Sequence, residues 1–310
     1  MDIYSSLALF RCGFEHFDTP RWFKTFPPRP QALFSHTSSD SDLSYWYRHP
    51  HRSTSKHPIV FIHGIGVSGS GIAFIPQCSR LFTSQIGFWP YIPFLSDLVK
   101  QDPDVGILIL EFMPISMHMT NPLLSRVETM SSITRILDSL NIYQFVIVSH
   151  SYGTVVSTHI LHDSHLSTRV AATLFIDPIP FLLHLPSIAF NFVYRKPRTA
   201  NEWELWYFAS RDADISRALS RHFFWTENIL WKEELENKQI GVVLSGDDQI
   251  VDAEEVRKYL TGEERMTKRW ATDDLEVLFY PGLDHAMVFD TEDRRKPVLD
   301  IIHRFVRLSE

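Results

Sequence analysis

Cysteine is nearly absent from this chain. Its 310 residues include two, Cys12 and Cys78, and neither belongs to a CxxC pair. That argues against a disulfide framework or a cysteine-ligated zinc site and suits a reducing compartment. Positive charge is not in excess either. Thirty Lys and Arg against 37 Asp and Glu give a net charge of −7, so no basic field points to nucleic acid. Long apolar runs are missing as well. The nearest, Ile179 to Val193, is broken by Pro180, His184, Pro186 and Asn191, and falls short of the roughly 18 residues that would suggest a transmembrane span. The opening stretch MDIYSSLALFRCGF has a short apolar run preceded by Asp2 and by no Lys or Arg. No secretory signal is expected from it, and a cytoplasmic location is. Neither an internal repeat nor a low-complexity tract is present.

What the chain does have is apolar strands alternating with helices. Ile59–Ile62, 106–111, Phe145–Val148, 171–176, 239–244 and Leu275–Tyr280 are short runs of the kind buried at the centre of a parallel sheet, and 43–48 reads as a first strand. Residues 88–101 and 126–140 suit helices, the second amphipathic with Val127, Met130, Ile133, Ile136, Leu137 and Leu140 at helical spacing. Pro297 to Leu308 suits a closing helix. The expected fold is α/β, a mostly parallel sheet covered by helices on both faces.

Two regions break the rhythm. Residues 1–40 read as an arm packed on the body, where Trp22, Phe23 and Phe26 run into Pro27, Pro28 and Pro30. Residues 178–238 separate two neighbouring strands by far more than a crossover needs. They hold four of the eight tryptophans, Trp203, Trp206, Trp225 and Trp231. This stretch is expected to form a helical cap over the C-terminal edge of the sheet, where ligands bind in open α/β folds. The core is then 41–177 with 239–310. Ile179 to Val193 is apolar enough for interfacial membrane contact, but burial within the cap is the expected use.

The chemistry centres on Phe145 to Ser157, FVIVSHSYGTVVS. A buried strand, a sharp turn and a helix start would place Ser151 at the apex of a nucleophile elbow. The positions two before and two after must be small where strand and helix approach. Ser149 and Gly153 are. A serine hydroxyl needs a base, and the base an orienting carboxylate. His285 follows the last strand in the turn Pro281-Gly282-Leu283-Asp284-His285, at the same sheet edge as Ser151. His303 lies inside the closing helix. For the acid, Asp248 in Gly246-Asp247-Asp248-Gln249-Ile250-Val251 is preferred. Asp247 and Asp177 are rivals, Asp177 also serving as a turn cap beside Pro178. Asp284 is expected to point elsewhere. The oxyanion of an acyl transfer needs N–H donors. Tyr152 would supply one from the helix start and Ile65 the other, from a loop (63–71) that holds four of the chain's 12 glycines. That loop lacks the ending of a P-loop and does not fit the dinucleotide fingerprint. His63 and His150 are expected to be structural.

FIHGIG (61–66), VSHSYG (148–153), GDDQIV (246–251) and PGLDH (281–285) come in the order that resembles the α/β-hydrolase superfamily, in its form with a cap between the sixth and seventh core strands. The departure is Ser149, where glycine is usual. The resemblance implies Ser151 as nucleophile, Asp248 as acid and His285 as base, with Ile65 and Tyr152 as oxyanion donors and no metal or organic cofactor. The leading expectation is a serine hydrolase of carboxylic esters or related acyl bonds, and the aromatic residues of the 178–238 segment suggest a lipophilic small-molecule substrate. Rival readings are another triad activity on this fold (lyase, C–C hydrolase, acyltransferase or haloperoxidase) or a ligand-binding receptor. Serine at the apex excludes the chemistries that need an aspartate nucleophile.

Overall fold

A computed structural model describes residues 2–19, 33–52, 55–65, 88–116 and 120–308. Trp22, Phe23, Phe26 and the prolines after them, Cys78, and Gly66, Gly69 and Gly71 of the glycine loop lie outside these residues.

Ten strands form one sheet among the described residues. They are β1 (Glu15–Asp18), β2 (His36–Thr37), β3 (Ser44–Arg48), β4 (Ile59–Ile62), β5 (Ile107–Glu111), β6 (Phe145–His150), β7 (Val170–Ile176), β8 (Gln239–Ser245), β9 (Arg269–Ala271) and β10 (Leu275–Tyr280). Their order is β2-β1-β3-β5-β4-β6-β7-β8-β10-β9. The stretch from β5 to β10 is parallel throughout, while β3 and β9 pair antiparallel at its two ends. Every residue of β4, β5 and β6 is buried, which is why these strands read as unbroken apolar runs and not as alternating ones.

The helices are α1 (Asp2–Arg11), α2 (Ile92–Gln101), α3 (Arg126–Ser139), α4 (Gly153–His162), the short α5 (Ser187–Ala189) and α6 (Ala200–Glu204), α7 (Ala213–His222), α8 (Trp225–Asn228), α9 (Ala253–Thr261) and α10 (Glu292–Phe305). Because side chains alternate across a strand, β6 serves two cores. Val146 and Val148 pack with Phe94 of α2 and Ile301 of α10. Phe145 and Ile147 pack with Ile133 and Leu137 of α3 and with Val156 and Ile160 of α4. Among the described residues no helix is long and apolar enough to cross a membrane.

Some expectations need correction. Val127 was expected on the apolar stripe of α3, but it lies in the helix's first turn and is exposed. The start of α3 is held instead by a capping box, in which Ser125 and Glu128 satisfy each other's backbone N–H. The closing helix begins at Glu292 and not at Pro297, which sits inside it. Glu292 and Asp293 favour the helix start electrostatically, and the missing proline N–H costs one bond in a helix otherwise held by its buried face. Among its described residues, the N-terminal arm adds strands to the sheet. β1 pairs antiparallel with β3 and so extends the sheet. Buried Arg48 fastens α1 to the core by donating to the carbonyls of Cys12, Pro103 and Val105.

The fold bends most sharply after β6. Ser151 takes φ +52°, a left-handed conformation that costs a non-glycine residue about 1–2 kcal/mol. Its N–H donates to the Ile176 carbonyl at 3.0 Å, and its own carbonyl accepts from the Thr154 N–H at 2.9 Å. The turn drives α4 against β4. A Cβ on Gly153 would collide with the Ile62 carbonyl and stand 2.7 Å from that of His63. No flexible side chain there can yield. Gly153→Ala is therefore expected to abolish soluble, folded protein. Ser149→Gly should lower stability by about 1 kcal/mol or less. Expression yield and thermal melts of the two variants check this.

Candidate active site

Three loops at the C-terminal edge of the sheet bring the expected residues together. Ser151 follows β6, Asp248 follows β8 and His285 follows β10. The Ser151 hydroxyl lies 2.8 Å from His285 Nε2, and His285 Nδ1 lies 2.6 Å from Asp248 Oδ2. Since Asp248 can only accept when ionised, Nδ1 carries a proton, and the neutral ring presents an unprotonated Nε2 to the serine O–H. The Asp248 carboxylate is held in turn. Its Oδ1 accepts the N–H groups of Ile250 at 2.7 Å and Val251 at 3.0 Å, so the Gln-Ile-Val stretch after it is what aims it.

The other candidate acids are placed elsewhere. Asp247 is exposed. Asp284 accepts from the Gln249 N–H at 3.0 Å and from the Asn201 side chain at 3.0 Å. Asp177 is fully buried at φ +45°. Its Oδ1 accepts the Ser245 N–H at 3.0 Å and its Oδ2 the Ala286 N–H at 2.8 Å. It therefore ties the end of β8 to the residue after His285. Reading Asp177-Pro178 as a local turn cap misses this, because the partners lie 68 and 109 residues on. An aspartate at the end of a buried strand is the only hint in the sequence. Ligand atoms of Asp177, Asp248 and His285 lie within 4.8 Å of one another, but these hydrogen bonds already occupy them.

Charge follows from this packing. Burial opposes a charge on the His285 ring, but the Asp248 carboxylate and its hydrogen bond, with Asp177 and Asp284 behind, outweigh it and push the ring up to about 9. Burial pushes His150 down to about 4. His63 is also lowered by burial. Both remain neutral hydrogen-bonding groups. His63 Nε2 accepts the Phe112 N–H at 3.0 Å, so its Nδ1–H donates to the Gly64 carbonyl at 2.7 Å. Tyr91 was not singled out in the sequence. Its hydroxyl accepts the Gly64 N–H at 3.1 Å, so its proton goes to His150 Nδ1, 2.8 Å away. His150 Nε2 then faces Asp177 Oδ2 at 3.7 Å.

This network holds the loop that runs against the serine. A Cβ on Gly64 would come within 2.7 Å of the Ser151 Cβ, so only glycine permits the approach. Ile65 is the next residue and is half-buried. Tyr152, buried, is the N-cap residue of α4 with no side chain capping that helix end. The 178–238 segment reaches the same place. Phe223, just past α7, has its ring 6.1 Å from that of Tyr152, and both Phe223 and Ile65 border the same buried cluster. A separate apolar cavity of about 410 Å³ lies between Phe181–Phe190 and α9 and has none of the three expected residues in its wall.

Tyr91→Phe is expected to leave the Gly64 N–H and His150 Nδ1 without their shared partner inside the protein. A loss of about 1–3 kcal/mol should follow, read as a lower denaturant midpoint at unchanged slope.

The fold agrees with what known proteins show. A search of curated proteins found no match. Among solved structures, a carboxylesterase from Bacillus subtilis is 11% identical with a TM-score of 0.52, over 97% of this chain and 98% of that one. A meta-cleavage product hydrolase from Pseudomonas fluorescens is 15% identical with a TM-score of 0.54, over 86% of this chain and 97% of that one. A naproxen esterase from Bacillus subtilis is 12% identical with a TM-score of 0.50, over 85% and 87%. At such identities these similarities speak for the fold alone. The sequence itself goes further, because residues 59–301 match the profile of the alpha/beta hydrolase family, and the chain belongs to that family.

Proposed function

We propose that this protein is a serine hydrolase that cleaves carboxylic esters or closely related acyl bonds through an acyl-enzyme. The observation that carries the reading is the unbroken line from Ser151 Oγ to His285 Nε2 at 2.8 Å and from His285 Nδ1 to Asp248 Oδ2 at 2.6 Å. In this reading Ser151 Oγ attacks the acyl carbon while its proton passes to His285 Nε2. Asp248 holds the ring in the required tautomer and stabilises the imidazolium. The N–H groups of Ile65 and Tyr152 receive the oxyanion. The tetrahedral adduct collapses, and the leaving alkoxide takes the proton from His285. Water, deprotonated by the same ring, then attacks the acyl-Ser151 ester, and the acid leaves as Ser151 regains its proton. The chemistry requires no metal or cofactor.

Residues 178–238 act as the cap in this account. The Phe223 ring beside Tyr152, with Ile65 bordering the same buried cluster, puts apolar surface near the proposed oxyanion donors, which favours a lipophilic acyl group or alcohol.

Hydrolysis of a chromogenic ester series tests the assignment. Wild type should turn over, Ser151→Ala should lose roughly 10⁴-fold or more in kcat, and activity should not fall steadily from short to medium acyl chains. No turnover by folded wild type across the series would reject the ester reading.

The pH dependence follows from the His285–Asp248 pair. The base works only when His285 is neutral, and its pKa is raised, so activity is lost as pH falls through that raised value. The acid limb of kcat/KM should lie above the ordinary histidine range. Asp248→Asn removes the charge that raises it. That change should shift the limb to lower pH and cost roughly 10³- to 10⁴-fold in kcat. Asp177→Asn keeps a side-chain oxygen for one of its two N–H partners and should retain more activity than Asp248→Asn. The opposite order would transfer the acid's role to Asp177.

A further inference from the structure

The segment between β7 and β8 carries a surface that the proposed chemistry does not use. From Pro178 to Ala200 there is no Asp or Glu, in a chain with 37 of them, while Arg195, Lys196 and Arg198 fall inside it. In the fold, α5 continues as a π-helix over Phe190–Tyr194, and α6 continues as another over Leu205–Ser210. The two form a hairpin around residues 195–199, and the Ser210 hydroxyl donates across it to the Phe192 carbonyl at 2.5 Å.

Each arm of the hairpin is two-sided. Ile188 and Phe192 on the first arm, and Leu205 and Ala209 on the second, are four residues apart and buried in one core. Phe190 and Tyr194 on the first, and Trp203 and Tyr207 on the second, share that spacing and point the other way, each 52–72% exposed. Residues four apart lie on one face of a helical arm, so each arm lifts an aromatic pair into solvent. Lys196 and Arg198 are exposed at the turn between them. Isolated exposed hydrophobics need no explanation, but paired ones beside a cationic turn do.

We propose that this hairpin docks on an anionic phospholipid surface. Tyrosine and tryptophan place an apolar ring and a polar edge at headgroup depth, and the exposed Lys196 and Arg198 match the phosphates and anionic headgroups in charge, while Glu202 of the second arm is taken up by Arg195 and by the N–H groups of Arg198 and Thr199. A second copy of this chain fits less well, since a two-fold contact through the hairpin would set one cationic turn against the other. The burial expected for Ile179 to Val193 holds for its inner side, with Ile179, Phe181, Leu183, Ile188 and Phe192 covered, but not for Leu185 or Phe190.

The hairpin is bonded to the loops of the candidate site. Asn191 donates to the Ile250 carbonyl at 3.1 Å, Arg195 to the Gln249 carbonyl at 2.7 Å, and Asn201 to Asp284 at 3.0 Å. The docking surface therefore belongs to the sheet edge that carries Ser151.

Flotation of the full chain with vesicles tests the proposal. With phosphatidylcholine vesicles containing about one-third phosphatidylglycerol, wild type should float, and less so as salt is raised. With phosphatidylcholine alone it should bind more weakly. Lys196→Gln with Arg198→Gln should weaken binding roughly 10- to 30-fold. Tyr194→Ser with Trp203→Ser should also weaken it, with the charges intact. Unchanged melting and unchanged hydrolysis of a short, water-soluble ester would show that both variants are folded. Ser151→Ala should bind vesicles like wild type, which separates this result from the fate of the hydrolase reading. The proposal is overturned if wild type stays in solution, if it binds neutral and anionic vesicles equally, or if both variants bind as wild type does. It is also overturned if wild type forms dimers that the variants do not, while ignoring vesicles.

Discussion

One buried carboxylate holds the C-terminal edge of the sheet together where the candidate site lies. Asp177 directly follows β7 and accepts the N–H of Ser245, where β8 ends, and the N–H of Ala286, just beyond His285. The loops that carry Asp248 and His285 are thus fixed to one point that no solvent reaches. Buried hydrogen bonds to a charged acceptor are worth more than neutral ones, and leaving such a charge unpaired is costly. The arrangement thus resists small displacements of either loop. The nearby charge also supports a raised His285 pKa. The same group therefore contributes to position and to electrostatics without facing Ser151 itself.

A second buried set works from the other side. Gly64, Tyr91 and His150 form a chain of hydrogen bonds that ends beside Asp177. It presses the start of the glycine loop against the elbow, where a Cβ on Gly64 would overlap Ser151. Strain at Ser151, with φ +52°, persists because these neighbours over-determine it. The elbow is a meeting of four chain segments, and its sequence pattern records only one of them.

Much of this could be read in advance, for a physical reason. Central parallel strands are buried on both faces, so β4, β5, β6, β7, β8 and β10 appear as apolar runs, and Ser151, Asp248 and His285 follow three of them. The edge strands gave no such signal. β1 (EHFD), β2 (HT) and β9 (RWA) are short and polar on at least one side, and their pairing depends on long-range contacts. Asp177 looked like a local turn residue because its partners are distant in the chain. Tyr91 had no local pattern at all. Pro297 looked like a helix start, whereas Thr291 and the acids after it begin α10.

The stretch between β7 and β8 stands apart from the rest. Its inner side packs in one core with β7 and β8, and its outer side carries aromatic pairs and a cationic turn. The proposed chemistry and the proposed membrane contact thus fall on different parts of one edge. The central claim remains the nucleophile, and a fluorophosphonate probe tests it most directly, with the adduct located by mass spectrometry of the digested protein. The account predicts one phosphonylated residue, Ser151, and no adduct in Ser151→Ala. Folded wild type that stays unlabelled, or an adduct on any other residue, would contradict it.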